Sequence, residues 1–370
     1  MAGAYAPIAA GETPKPGSTE AELWYGMDQA EKDIRQSPYL LKDPALNAYV
    51  REVLCRVTDE YCPHIRLYIV DVPIFNATMA PNGSMLVFTG ALLRLQDEAE
   101  LAVMLGHEFA HFRQRHTLQQ WESAKRTTAF LASFGVLTWA GGVGLVGGIA
   151  QMAGFANMMQ FSRDSERESD RIGFGIIAGK GYDPEAGARM WQRIQREEAA
   201  ESNKRRNTVF ASHPKTLERL TDMQSAAEPF KGKASSRFQD RYAEAVKPFL
   251  PKWLDDELGK RTFDTSIQVI SEKLQNAGPN LKALYEFYLG EAHRRRNREG
   301  DQAKADQFYV LAASHADAPA AAFREHGLAL KRAGQSKEAL PWLQRYLAQA
   351  PNASDRLFIE KDISELERIK

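Results

Sequence analysis

One stretch leaves the chain little freedom in how its surroundings fold: Leu105-Gly106-His107-Glu108-Phe109-Ala110-His111-Phe112, an H-E-x-x-H sequence inside an apolar helical pattern. Residues four apart on an α-helix lie one above the other on the same face. His107 and His111 can therefore offer two imidazole nitrogens to one metal ion. Glu108 is rotated from His107 by about 100° at roughly 3.6 residues per turn. From there it reaches a water on that metal without ligating the metal itself. Two His ligands and a carboxylate base are the donor logic of a zinc peptidase. Zinc held by two His still needs a third donor from elsewhere in the chain.

Residues 162–173 offer it, as Ser-Arg-Asp-Ser-Glu-Arg-Glu-Ser-Asp-Arg-Ile-Gly. A charge run of this kind is ordinarily a solvated helix face, but this one directly follows a long apolar stretch. Glu166 and Asp170 are four apart and share a face, while Glu168 points elsewhere. Glu166 is the candidate third ligand of a His₂Glu set, and Asp170 a candidate partner that orients a ligand His. His116 follows His111 by five residues, so on a continuous helix over 97–115 it points away from the ligand face and reads as a structural or surface histidine.

Upstream, residues 21–61 are helical in pattern, with Asp43-Pro44 as the start signal of the helix that contains 45–54. Residues 65–72 alternate and are rich in β-branched and aromatic side chains, predicting a strand. Residues 73–81 read as a turn-containing segment. The Asn82-Gly83 turn then leads into a second strand over 84–89. The exposed edge of such a sheet can pair with an extended peptide; the alternative is a purely structural sheet. Cys55 and Cys62 would lie ~10 Å apart by rise within one helix, too far to bridge, so the reading leans to free thiols. A helix that stops near Tyr61 would let Cys62 fold back into a small disulfide.

Between Arg126 and Arg163 there is no charged residue. The length would suit a membrane span, but the glycines of 141–148 divide it into two shorter apolar halves. A helical hairpin that covers the core is the first reading, a membrane-contacting surface the second and a true span the last. The G-x-G-x-x-G at Gly142, Gly144 and Gly147 has no strand before it and no ribose-binding acid after it, which argues strongly against a nucleotide site. Residues 201–208 are polar and basic, a mobile loop leading to His213-Pro214. Loops often carry function, yet a lone His there is as readily incidental.

With 370 residues, two domains are expected. Residues 1–20 read as a flexible leader without the pattern of a signal peptide. A first domain over 21–225, a Gly/Ser/Lys-rich linker over 226–237 and an all-helical domain over 238–370 follow. In the last, Gly290, Ala305 and Tyr309 correspond to Gly327, Ala339 and Leu343. Small residues at helix crossings, with a period near ~34 residues, fit tetratricopeptide repeats; an unrelated helical bundle is the alternative. Net charge is zero, which argues against nucleic acid or a generally anionic surface as partner.

The segments Asn76-Ala77, 83–90, 98–116, 162–173, 181–184 and 213–219 occur in an order that resembles the zinc metallopeptidases related to the CAAX prenyl protease. With C-terminal tetratricopeptide repeats, the BepA-like type of periplasmic protease and chaperone is the nearest resemblance. The resemblance implies a mainly α fold, with a zincin-type α+β protease domain carrying a small sheet, followed by an α-solenoid. It implies Zn2+ as cofactor, His107, His111 and Glu166 as ligands and Glu108 as general base. It also implies His213 as a fourth ligand that holds the site shut, and Arg219 as a group that stabilises the developing oxyanion. Two departures stand out: Ser169 replaces the family's usual Ala, and Ala80-Pro81-Asn82-Gly83-Ser84 replaces a double Gly. The partners implied are protein or peptide substrates and the outer-membrane protein assembly machinery, in the periplasm; peripheral membrane contact through 127–162 is the second reading of that uncharged stretch. The competing reading is a chaperone whose zinc site is structural.

Overall fold

The computed structural model describes residues 5–125, 161–200, 217–231 and 235–368, without the side chains of 124–125 and 217–219. Residues 127–160 of the uncharged stretch, residues 201–216 with the expected loop over 201–208 and His213, and the Arg219 side chain therefore lie outside the described residues. Two compact units are present: residues 1–195 with 205–253, and residues 196–204 with 254–370. Among the described residues no helix is long and apolar enough to cross a membrane.

In the first unit, α1 (Thr19–Gln36) starts where the Ser18 hydroxyl accepts the Ala21 N–H, and α2 (Pro44–Thr58) where Asp43 accepts the Leu46 N–H with Pro44 in the first turn. Both side chains satisfy amide donors that a helix start leaves open. The N-terminal residues expected to be a loose leader are held from residue 5 onward. Ile8 is buried, its N–H donates to Arg113 O at 2.8 Å, and its carbonyl accepts the Tyr61 hydroxyl. The helix α2 ends at Thr58 and a 3₁₀ turn follows over Asp59–His64. That turn brings the Cα atoms of Cys55 and Cys62 to 4.8 Å, where they form a disulfide. The leaning to free thiols is thus corrected, because the helix does not run on through Cys62.

Three strands form the sheet, β1 (Arg66–Val70), β2 (Ala77–Met79) and β3 (Ser84–Phe88), in the order β1-β3-β2. β1 runs parallel to β3, and β2 antiparallel to it. The strand β2 lay hidden in the segment read as a turn, since three residues are too few to show a period of two. Glu31 of α1 ties that helix to the sheet. Its carboxylate takes two hydrogen bonds of 2.6 Å from Arg66, one from the Tyr68 hydroxyl and one from Asn82. Burial alone would raise its pKa, but the hydrogen bonds from Arg66, Tyr68 and Arg35 outweigh it and hold the group down at about 2.

A short helix, α3 (Thr89–Arg94), precedes α4 (Glu98–Arg113), which carries the H-E-x-x-H residues and is buried from Glu98 to His111. Asp97 caps α4 by accepting the Glu100 N–H. Carboxylates suit the positive end of the helix dipole, and buried ones need cations as well. Arg193 pairs with Glu100, Arg56 and Arg241 with Glu98, and Arg237 with Asp97 at 2.6 Å, while the Ala99 N–H donates to Arg237 O. The next helix is α5 (His116–Lys125), and then come α6 (Arg163–Gly179), α7 (Ala186–Ala200), α8 (Leu217–Ala227) and α9 (Gln239–Val246).

The second unit is helical throughout its described length. Besides 196–204, it takes the chain from within α10 (Leu250–Gly259) onward, through α11 (Phe263–Gln275), α12 (Pro279–Arg296), α13 (Asp301–Ala313), α14 (Ala320–Arg332), α15 (Ser336–Gln349) and α16 (Arg356–Arg368). Successive helices pack on one another as in an α-solenoid. The two residue pairs matched in the sequence meet at equivalent crossings, Gly290 under the Tyr309 ring and Gly327 under Leu343. A Cβ on either glycine would come within 2.5 and 2.7 Å of those side chains.

Candidate metal centre

The helices α4 and α6 cross at two glycines. A Cβ on Gly173 would lie 3.3 Å from His107 N and 3.4 Å from Gly106 C, so the backbones approach as closely as only small residues allow. Ser162 starts α6 by accepting the Ser165 N–H, and the face from Glu166 through Ser169, Asp170 and Gly173 is buried toward α4. This crossing brings the donors from the two helices together.

His107, His111 and Glu166 are all buried, and one ligand atom from each lies within 4.8 Å of the others. The two Nε2 atoms are 3.1 Å apart. Glu166 Oε2 lies 3.6 Å from His107 Nε2, and Oε1 lies 3.5 Å from His111 Nε2. A tetrahedron with bonds of about 2.0–2.1 Å has edges of roughly 3.3 Å, so these spacings fit a zinc-sized ion. The remaining ring nitrogens face elsewhere. His107 Nδ1 is 2.8 Å from Asp170 Oδ1, and His111 Nδ1 is 3.0 Å from His116 Nδ1. With their protons on Nδ1, both imidazoles turn lone pairs toward one point beside a carboxylate, a donor set of N, N and O that a divalent cation satisfies. Glu108, the next residue on α4, is also buried.

The position of His116 differs from the reading of a continuous helix. α4 ends at Arg113, Arg115 adopts φ +54°, and α5 starts at His116. This break swings the ring back against His111, so His116 is 3% exposed rather than on the surface. Its Nε2 lies 3.3 Å from Glu168 Oε2, and Gln114 Nε2 donates to Glu168 Oε1 at 2.6 Å. Burial lowers the His116 pKa against the opposing pull of Glu168, which favours the neutral ring. Phe161 stacks on the face of the His111 ring, with ring centroids 3.9 Å apart. Neither His116 nor Phe161 was singled out as a site residue from the sequence. The signal that could have found His116 was its place one turn beyond His111, had the break been foreseen.

Two imidazoles from one buried helix, crossed by a carboxylate from a second, define the centre of a metal-dependent hydrolase. A family comparison agrees: residues 38–227 match peptidase family M48, and the chain belongs to that family. It is similar to the beta-barrel assembly-enhancing protease of Yersinia pestis, 29% identical over 60% of this chain and 47% of that protein. The protein of the same name from Escherichia coli K12 is 25% identical over 58% of this chain and 46% of its own length. The mitochondrial metalloendopeptidase OMA1 of Bos taurus is 31% identical over 40% of this chain and 29% of its own. Each match thus covers less than half of the relative's length.

Proposed function

We propose that the chain is a zinc-dependent endopeptidase, with His107, His111 and Glu166 as the ligands. The observation that carries this reading is the convergence of two Nε2 atoms and one carboxylate, all buried, with spacings of 3.1–3.6 Å. Bound zinc supplies a Lewis acid for the peptide carbonyl and lowers the pKa of water toward ~7. Glu108 accepts the proton of the attacking water and later delivers it to the leaving amine nitrogen. Asp170 holds His107 in the tautomer with its proton on Nδ1, leaving Nε2 as donor. The strand β2 is an edge of the sheet and packs against α4. An extended peptide adding to that edge is held by backbone hydrogen bonds beside the donors.

The names of the relatives support substrates among envelope proteins, in the setting of β-barrel assembly, and the resemblance supports the periplasm. The Cys55–Cys62 disulfide supports an oxidising compartment. We read the second unit as tetratricopeptide-type repeats that bind substrate or partner, on the recurrence of the Gly290/Tyr309 and Gly327/Leu343 crossings. His213 and Arg219 rest on the resemblance, as a closing ligand at rest and as an oxyanion-stabilising group. In that role His213 displaces the attacking water, and His213→Ala raises proteolysis; unchanged or abolished cleavage ends the switch reading.

The central test measures zinc content and cleavage of an unfolded protein by the full chain and by Glu108→Gln. About one zinc per chain is expected in both, with cleavage reduced by at least ~10²-fold in the variant. Zinc retained without cleavage by either, while unfolded protein is still bound, would replace the enzyme with a chaperone whose metal is structural.

A further inference from the structure

The surroundings of the two ligand histidines are not symmetric. His107 turns its Nδ1 to a carboxylate, Asp170, at 2.8 Å. His111 instead meets a second imidazole, His116, at 3.0 Å, and Glu168 stands behind that one at 3.3 Å. The protons along this chain of groups are determined by its two ends. A His111 that ligates through Nε2 carries its proton on Nδ1 and donates it. His116 then receives at Nδ1, which puts its own proton on Nε2, facing Glu168 Oε2. Glu168 is itself steadied by Gln114, whose Nε2 donates to the other carboxylate oxygen at 2.6 Å. The Ser169 hydroxyl, 3.3 Å from His116 Nδ1, supplies a further contact on the ring.

We propose that His116 is a positioning residue for the metal centre. It accepts the Nδ1 proton of His111, fixes the ring with Nε2 toward the ion, and passes the polarisation on to Glu168. The inference rests on the metal-binding reading above. Outer partners of ligand histidines raise ligand basicity and hold ring orientation, and their loss typically weakens metal affinity by ~10–100-fold. A buried imidazole serves here where His107 has a carboxylate, because the break at Arg115 returns the chain to the same ring one residue later.

The test uses the full chain at one fixed pH, with zinc affinity measured by competition against a chelating dye and the visible bands recorded after cobalt substitution. In His116→Leu, zinc affinity falls by about 10–100-fold and the cobalt bands shift. In His116→Asn, whose amide oxygen takes the place of Nδ1 as acceptor, most of the affinity returns. Apoprotein circular dichroism and melting report whether each variant folds. A folded His116→Leu protein within about twofold of wild-type affinity, or a His116→Asn protein as weak as the leucine variant, overturns the proposal. Should the leucine variant not fold, Glu168→Ala decides: severalfold weaker zinc supports the proposal and unchanged zinc overturns it. A wild-type chain that binds no zinc overturns the metal reading itself, whereas zinc-binding wild type with indifferent variants removes only the role of His116.

Discussion

Single side chains in this protein owe their state to the groups opposite them, and Glu31 shows how strongly. Its carboxylate is 3% exposed and receives Arg66, Tyr68, Arg35 and Asn82. The pKa falls from an ordinary 4.5 to about 2 in the folded chain. A depressed carboxylate pKa contributes stability that is present above the unfolded value and is lost as pH falls toward the folded one. Glu31→Gln is therefore expected to cost roughly 2 kcal/mol at neutral pH. The difference from wild type should narrow as pH falls from about 4.5 to about 2, as read by denaturant unfolding at a series of pH values. A gap that stays constant over this window would mean that charge is not what Glu31 contributes. Residue-scale chemistry was legible where spacing alone determines geometry. Four residues of helix place His107 over His111 and Glu166 over Asp170 whatever else the chain does. His116 was not legible, because Gln114-Arg115 carries neither Gly nor Pro to announce the positive φ that returns it to the site.

At the scale of elements, the α4–α6 crossing sets the distance between the donors. Gly173 leaves no more than a Cβ's width beside His107 N. Gly173→Val is expected to push the helices apart and to cost about 1–3 kcal/mol by overpacking. Because the proposed ligands come from both helices, the variant should also lose much of the rise in melting temperature expected from zinc in wild type. Calorimetry with zinc and with a chelator checks this; an undiminished zinc increment would show that the helices yield without moving the donors. Ser18, Asp43, Asp97 and Ser162 each accept an amide hydrogen at a helix start, and of these starts the one at Asp43-Pro44 was readable. The strand β2 was not, and neither was the end of α2, on which the fate of Cys55 and Cys62 turned. Periodicity reports the middle of an element, and the turns that decide pairing are written in only a few residues.

For the whole molecule, the disulfide is a constraint on the unfolded chain as much as a contact in the folded one. It closes a loop with a sequence separation of 7, for which loop-closure entropy gives roughly 2 kcal/mol. Unfolding in urea with and without reductant should differ by about that amount in the first unit, and coincident curves would mean that the bond is idle. The composition shift placed the expected linker at 226–237. The unit boundary, however, falls at Trp253, beyond the Gly/Ser-rich stretch. What carries the first unit past that stretch is the clasp on the front of α4. Asp97 and Glu98 lie at the start of the metal helix, and Arg237 and Arg241 lie some 140 residues further along. A ribosome delivers the H-E-x-x-H helix long before it delivers those two guanidinium groups. The nascent chain therefore carries Asp97 and Glu98 before their partners Arg237 and Arg241 have been made.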